Sequence, residues 1–119
     1  MSVQKLGPKA VLVDVEGEVN LSTSPSFQEP MITLVRSGCR HLVVSLENVK
    51  FMDTSGLGVL IGAYRLVQEH HGDMNVICSN PKILKLLEIT NFTKLVKVFE
   101  KREEAIESVS AVAAPSKGV

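Results

Sequence analysis

One stretch near the middle of the chain limits the possible folds more than any other: V-K-F-M-D-T-S-G-L-G-V-L-I-G, residues 49–62. An apolar segment, residues 41–47, precedes it, and an apolar, strongly helical segment, residues 57–70, follows it. Between them lie one acid, two hydroxyls and two glycines: Asp53, Thr54, Ser55, Gly56 and Gly58. This pattern predicts a buried strand that delivers polar residues to the end of a sheet, where a helix begins at once. In α/β folds such loops are exposed on a rigid scaffold, and functional groups collect there.

Hydrophobic periodicity predicts further elements on both sides of this stretch. Residues 10–16 alternate as a half-buried strand does, and a weaker strand precedes them around residues 3–6. Residues 22–25 indicate a helix start with a hydroxyl cap, and Pro30 predicts a kink or a restart of that helix. From residue 41 onward the order is strand, helix, strand, helix, strand, helix. That alternation predicts an α/β domain with a largely parallel sheet.

Size and composition narrow the functional classes. A chain of 119 residues is expected to form one domain, here residues 1–112, and the aperiodic residues 113–119 are expected to form a flexible tail. Thirteen basic and thirteen acidic residues cancel and only 4% of residues are aromatic, which argues against direct binding to nucleic acid. The sequence has neither an apolar run of roughly 18 residues nor the apolar core of a secretory signal. We therefore expect a cytoplasmic protein that does not bind membranes.

Motifs for metal binding and catalysis are missing from the sequence. There is no H-E-x-x-H and no P-loop lysine, and the adjacent His70 and His71 fall in a predicted turn. Cys39 and Cys78 lie far apart and are expected to be free thiols. Ser55 lacks the G-x-S-x-G context and the nearby base of a hydrolase nucleophile. We expect no catalytic residue, no metal and no cofactor.

A dinucleotide site is the enzymatic alternative that the glycines suggest, because Gly56, Gly58 and Gly62 have the spacing G-x-G-x-x-x-G. Such a motif follows the first strand of its unit, and an acid at the end of the next strand holds a ribose. Here the next predicted strand ends Cys-Ser-Asn, residues 78–80, without an acid. The Thr54 and Ser55 side chains would also crowd the pyrophosphate. The sequence therefore disfavours a dinucleotide.

Ser55 is better suited to accept a phosphoryl group. At a helix start the backbone N–H groups are unpaired, and a phosphate there is stabilised by about 0.3 to 1 kcal/mol. The phosphate would also add about −1.5 to −2 units of charge beside Asp53. Because the two effects partly oppose each other, we expect the surface to change and the fold to stay. The alternative is that Thr54 and Ser55 merely cap the helix.

Gly58 and Gly62 lie on one stripe of the predicted helix, together with Arg65 and Glu69. The opposite, core-facing stripe is predicted to contain Leu57, Leu60, Ile61, Tyr64 and Val67. Each glycine on an exposed helix face costs about 1 kcal/mol relative to alanine. We interpret the glycine stripe as a surface that a partner approaches closely. Packing against a loop of the same chain is the alternative.

Several motifs together resemble a known family. F-M-D-T-S-G-L-G-V-L, between a V-V-x-L-x-x-V strand and a long helix, is similar to the signature of STAS-domain anti-sigma factor antagonists. G-E-V-N-L-S-T-S-P at 17–25, I-L-K-L-L-E-I-T-N-F-T-K-L at 83–95 and E-E-A at 103–105 resemble other segments of that family. The resemblance implies a single α/β STAS domain. It also implies a mostly parallel, mixed sheet of four to five strands with helices packed mainly on one side.

The resemblance further implies a cycle. The unphosphorylated protein would bind an anti-sigma factor that is also a serine kinase, and a sigma factor would be released. The kinase, using its own bound ATP, would phosphorylate Ser55, with Thr54 as the alternative acceptor, and a serine phosphatase would reset the protein. The resemblance, together with the glycine stripe, implies these partner-binding residues: Asn20, Asp53, Thr54, Ser55, Gly56, Leu57, Gly58 and Gly62.

One residue of this set departs from the family pattern. Asn20 stands where an aspartate is common, so its charge is lost while its hydrogen bonds are kept. This departure predicts weaker phosphorylation or a different partner. The competing hypothesis is a STAS docking subunit of a larger assembly, such as a stress-sensing scaffold or a lipid-transport complex, without a phospho-switch.

Overall fold

The computed structural model of the protein describes residues 1–113. The elements, in chain order, are β1 Ser2–Gly7, β2 Ala10–Val19, α1 Ser24–Arg36, β3 His41–Met52, α2 Thr54–Glu69, β4 Asp73–Ile77, α3 Pro81–Ile89, a short 3-10 helix Phe92–Lys94, β5 Lys97–Phe99 and α4 Arg102–Ala113. The flexible tail was predicted for residues 113–119, but residue 113 belongs to α4. The prediction for residues 114–119 lies outside the described residues.

The five strands form one sheet in the order β1-β2-β3-β4-β5. β1 and β2 are antiparallel, and the other three neighbouring pairs are parallel. A helix connects the strands of each parallel pair, as parallel pairing requires. This arrangement confirms the predicted mostly parallel, mixed sheet. It also brings the carboxyl ends of β2 to β5 to a single edge of the sheet.

The helices lie on both faces of the sheet in unequal numbers. Buried side chains of α1, α2 and α3 form one large cluster with alternate residues of the central strands, Leu42 and Val44 among them. The intervening strand residues, such as Leu12 and Val43, form a smaller cluster with Ala105 and Val109 of α4. Three helices thus cover one face and one helix covers the other, which confirms packing mainly on one side. In the described part of the chain, no helix has the length and apolarity to cross a membrane.

The first helix is continuous, so the restart predicted at Pro30 is wrong, while the kink predicted near Gln28 stays a prediction. α1 runs from Ser24 to Arg36 with Pro30 in its interior. Phe27, Met31 and Val35 are buried on the sheet on either side of the proline. Because this packing is shared by residues before and after Pro30, it holds the helix together despite one lost hydrogen bond.

A polar cluster anchors the start of α4. The Arg102 guanidinium donates hydrogen bonds to Asp14 Oδ1 at 2.6 Å and to Glu47 Oε1 at 3.0 Å. The fully buried Ser45 hydroxyl donates to the same Glu47 oxygen at 2.9 Å. Burial opposes the charge of Arg102, but the hydrogen bonds and charges of the two carboxylates outweigh it, so the pKa of the guanidinium is raised. The cluster fixes α4 to β2 and β3.

Both cysteines are buried and free. Burial raises the pKa of the Cys39 thiol and of the Cys78 thiol, because it disfavours the charged thiolate. A raised pKa keeps each thiol protonated and unreactive near neutral pH. We therefore assign both cysteines to the core.

Candidate functional site

The candidate site lies at the carboxyl edge of the sheet, where β2 and β3 end side by side. Val19 and Met52 are paired at the ends of these two strands, and the Asp53 N–H donates to the Val19 carbonyl at 3.2 Å. The loop after β2 therefore lies beside the loop after β3. We call residues 20–23 the Asn20 loop and residues 53–56 the Ser55 loop.

Asp53 caps α2. Its backbone is extended, and its Oδ1 atom accepts a hydrogen bond from the Ser55 N–H at 2.9 Å. The interpretation of Thr54 and Ser55 as helix caps is therefore wrong, because the carboxylate of Asp53, the residue directly after β3, caps the helix. Thr54 is exposed and Ser55 is half-buried, both in the first turn of α2. Since the cap bond comes from Asp53, neither hydroxyl is needed for it.

Gly56 allows α2 to begin this close to the sheet. A Cβ atom at residue 56 would lie 2.6 Å from Met52 Cγ and 2.8 Å from Val19 Cγ1. Leu57, which follows, is only 7% exposed. The structure thus places Gly56, the last residue of the Ser55 loop, and Leu57 in the core. These two residues hold the loop against the sheet, and its surface is formed by Thr54 and Ser55, with Gly58 one turn further along α2.

The Asn20 loop is closed by its own side chains. Asn20 Oδ1 accepts from the Ser22 N–H at 3.0 Å and from the Thr23 N–H at 3.1 Å. The Thr23 hydroxyl accepts from the Asn20 N–H at 2.9 Å and donates to the Glu18 carbonyl at 2.8 Å. Thr23 makes no side-chain cap bond to α1, so the predicted hydroxyl cap of that helix is wrong. Asn20 shapes the loop through an oxygen that an aspartate would also have.

The glycine face, Gly58 and Gly62, is open to solvent. At either position an added Cβ atom would lie in open space, with no atom of residues 1–113 within 4 Å apart from the neighbouring backbone of α2 itself. Within the described chain, no loop packs on these glycines, so the alternative of internal packing is wrong. Gly62 also borders a cavity of about 150 Å³ between α1 and α2, beside Ile32 and Val59.

The buried face of α2 is rotated relative to the predicted one. Its buried residues are Gly56, Leu57, Val59, Leu60, Ala63 and Val67. The prediction was right for Leu57, Leu60 and Val67, but Ile61 and Tyr64 are only half-buried. Val59 and Ala63 were missed because a small or branched apolar residue carries a weak signal within a helix that is apolar on most sides.

Leu21 and Phe51 are two exposed apolar residues that the sequence analysis missed. Leu21, in the Asn20 loop, is 78% exposed, and Phe51, next to the last residue of β3, is 49% exposed. The usable signal for Phe51 was the adjacent pair Phe51-Met52, because a regular strand cannot point two successive side chains into one core.

The arrangement offers an acceptor and a binding surface. A phosphoryl group on Ser55 would lie at the positive end of the α2 dipole, with the Asp53 carboxylate as the opposing charge. In residues 1–113 there is no cluster of three or more His, Cys, Asp or Glu side chains placed to hold a metal ion.

Comparison with known proteins identifies the family. The model of the STAS domain matches residues 3–105, which is most of the chain. This protein belongs to the STAS domain family, and the match confirms the resemblance found in the sequence.

The chain is also similar to individual proteins of known type. An anti-sigma F factor antagonist of Paenibacillus polymyxa is 39% identical over 80 residues, which cover 66% of this chain and 68% of the relative. The fold is similar to that of the anti-sigma factor antagonist SpoIIAA in its unphosphorylated form, with a TM-score of 0.80 and 20% identity, covering 92% of this chain and 96% of that chain. It is likewise similar to the Bacillus cell fate determinant SpoIIAA in the phosphorylated form, with a TM-score of 0.73 and 19% identity over 91% and 97% of the two chains.

Proposed function

We propose that this protein is an anti-sigma factor antagonist controlled by phosphorylation of Ser55. Its unphosphorylated form binds an anti-sigma factor in the cytoplasm, and a sigma factor is thereby freed. The observation that carries the proposal is the position of Ser55, in the first turn of α2 beside a cap made by Asp53. The similarity to the Paenibacillus polymyxa relative supports the same function.

The anti-sigma factor is proposed to be a serine kinase that modifies this protein. The Ser55 oxygen attacks the γ-phosphorus of ATP bound by the kinase, an O–P bond forms, and the bond to the leaving ADP breaks. The hydroxyl proton passes to a base of the kinase. This protein is therefore a substrate and regulator rather than an enzyme. A serine phosphatase returns Ser55 to the hydroxyl form, and the exposed Thr54 is the alternative acceptor.

Electrostatics explains how the phosphoryl group ends the complex. The α2 dipole stabilises the group by about 0.3 to 1 kcal/mol, and Asp53 opposes it, so the fold is retained. A partner carboxylate about 6 Å away would be repelled by about 1 kcal/mol in water and by about 4 to 5 kcal/mol at an effective dielectric constant of about 20. A repulsion of about 1.4 kcal/mol lowers the affinity about tenfold. A repulsion energy midway between these two limits therefore weakens partner binding at least about tenfold.

Substitutions at Ser55 test this proposal. Ser55→Asp is expected to weaken binding of the purified anti-sigma factor at least about tenfold, and Ser55→Ala is expected to bind normally and to accept no phosphate. Thr54→Ala is the matched control, because it removes the neighbouring exposed hydroxyl and leaves Ser55 in place. Isothermal titration measures the affinities, and transfer of labelled phosphate from ATP measures the modification. Tight binding by Ser55→Asp would contradict the charge-repulsion mechanism, and full labelling of Ser55→Ala would move the acceptor to another residue.

A second candidate function rests on the open glycine face. Gly58 and Gly62 present a flat surface that needs no modification to accept a partner. In this alternative the protein is a permanent docking subunit of a larger assembly. The two functions separate in one comparison, because a docking subunit would bind its partner equally well with and without phosphate on Ser55.

A further inference from the structure

Phe51 is held on the surface by an irregularity in β3. Gly17 pairs with Val49 and Glu18 pairs with Phe51, so one step along β2 spans two steps along β3. As a result Val49 and Met52, three residues apart, are both buried in the same core cluster. A regular strand would place residues 49 and 51 on one face, and Phe51 would then be buried as Val49 is. The bulge turns a phenylalanine outward, two residues before Asp53.

Leu21 is held on the surface by the Asn20 loop. The hydrogen bonds of Asn20 and Thr23 fix the backbone on both sides of it, and its side chain is left 78% exposed. A leucine kept in water by a rigid loop forgoes the free energy of burial. Because these hydrogen bonds already fix the loop backbone, covering Leu21 costs little backbone entropy, and such preorganised loops present efficient apolar anchors in interfaces.

The two side chains lie on the two segments that meet at the Ser55 loop. Asp53 is hydrogen bonded to Val19, and a Cβ atom at Gly56 would touch Val19, so the end of β2 contacts the first turn of α2. Leu21 follows Val19 by two residues, and Phe51 precedes Asp53 by two. The Ser55 loop is thus flanked by an exposed apolar residue on each of its two supporting segments.

We propose that Leu21 and Phe51 are the apolar anchors of the complex with the anti-sigma factor kinase, which receives them in apolar pockets beside its catalytic site. The inference rests on the proposed function, because transfer requires the Ser55 oxygen to approach the γ-phosphorus to about 3 to 3.5 Å. At that distance the kinase must also cover the residues that flank the loop. Apolar anchors supply binding affinity that does not depend on charge. The charge repulsion from a phosphoryl group on Ser55 then opposes this affinity.

Alanine substitution tests the anchors against a matched control. Ile89 is 68% exposed and ends α3, a helix of nine residues that leads about 13 Å away from the carboxyl edge of the sheet. The probe is the kinase of the same cell, identified by transfer of labelled phosphate from ATP to Ser55 of the full chain. We expect Leu21→Ala and Phe51→Ala each to weaken its binding at least about tenfold, and Ile89→Ala to change it less than about twofold. Leu21→Ala and Ile89→Ala are expected to keep the wild-type melting temperature within about 3 °C, because the removed atoms are largely in water. Phe51→Ala is expected to lower the melting temperature more, because Phe51 is about half covered, and circular dichroism at the assay temperature checks that this variant is folded.

The outcomes separate this inference from the proposed function. If Ser55→Asp loses binding while Leu21→Ala and Phe51→Ala bind as the wild type does, the anchors are refuted and the switch stands. If no kinase labels Ser55, the proposed function fails, and the anchors fail with it. If the two alanine variants instead dissociate a dimer of this chain in light scattering and bind the kinase normally, the apolar residues serve self-association and the inference is overturned.

Discussion

Replacing Gly56 with alanine is expected to destabilise the fold, although the same change in a helix usually stabilises it. The new methyl group would lie 2.6 Å from Met52 Cγ and 2.8 Å from Val19 Cγ1. Neither atom is the free end of a flexible side chain, so the backbone of α2 or both neighbours must move. Such overpacking costs about 1 to 3 kcal/mol, and the helix propensity of alanine returns up to about 1 kcal/mol. We expect a net loss of about 1 to 2 kcal/mol.

Gly58→Ala is the matched control. The methyl group added at residue 58 would lie in open space, with no atom of residues 1–113 within 4 Å apart from the neighbouring backbone of α2. It is expected to stabilise the protein by about 0.5 to 1 kcal/mol through helix propensity and a less flexible unfolded chain. Urea denaturation followed by circular dichroism measures both free energies of unfolding. The predicted difference between the two variants is about 2 kcal/mol, with opposite signs relative to the wild type. If Gly56→Ala were as stable as Gly58→Ala, the close approach of α2 to β2 and β3 would be refuted.

Four other substitutions, at three residues, probe the cap, the polar cluster at the start of α4 and the glycine face. Asp53→Ala is expected to lower the free energy of unfolding, measured by urea denaturation, by about 0.5 to 2 kcal/mol. Asp53→Asn is expected to lower it much less, because an amide oxygen can still accept the hydrogen bond from the Ser55 N–H. Equal losses of stability in the two variants would argue against the cap. Arg102→Ala is expected to cost about 1 to 3 kcal/mol, because it removes the donor to Asp14 and one of the two donors to Glu47, which keeps the Ser45 hydroxyl. An unchanged urea midpoint would show that the cluster does not anchor α4. Gly58→Leu is expected to keep the melting temperature and to weaken partner binding, measured by isothermal titration, and wild-type affinity would remove the glycine face from the interface.

The order of elements was predictable because hydrophobic period is a local property of the sequence. The alternation in β2 and the apolar run at the start of β3 depend only on which residues face a core. The position of the Ser55 loop followed from that order, because a parallel strand and the next helix always meet at the carboxyl edge.

The details of the site depend on tertiary contacts that no local pattern reports. The predicted strand at residues 41–47 continues as β3 to Met52, with extra residues that only its pairing with β2 reveals. Asp53, Thr54 and Ser55 are all good helix caps by type, and the end of the strand selects Asp53. A restart of α1 was predicted at Pro30, but the helix continues through the proline because residues on both sides of it are buried. Each of these differences lies where packing overrides propensity.

The most direct test of the central claim is the phosphorylation state of Ser55 in the cell. The protein would be purified from the cells that produce it and analysed by intact mass spectrometry, with peptide mapping of residues 51–65 and the Ser55→Ala variant as the control. The proposed switch predicts a fraction with one phosphate on Ser55 that disappears after phosphatase treatment and is missing from the variant. No phosphate on Ser55 or Thr54 under any growth condition would contradict the switch and favour a permanent docking subunit.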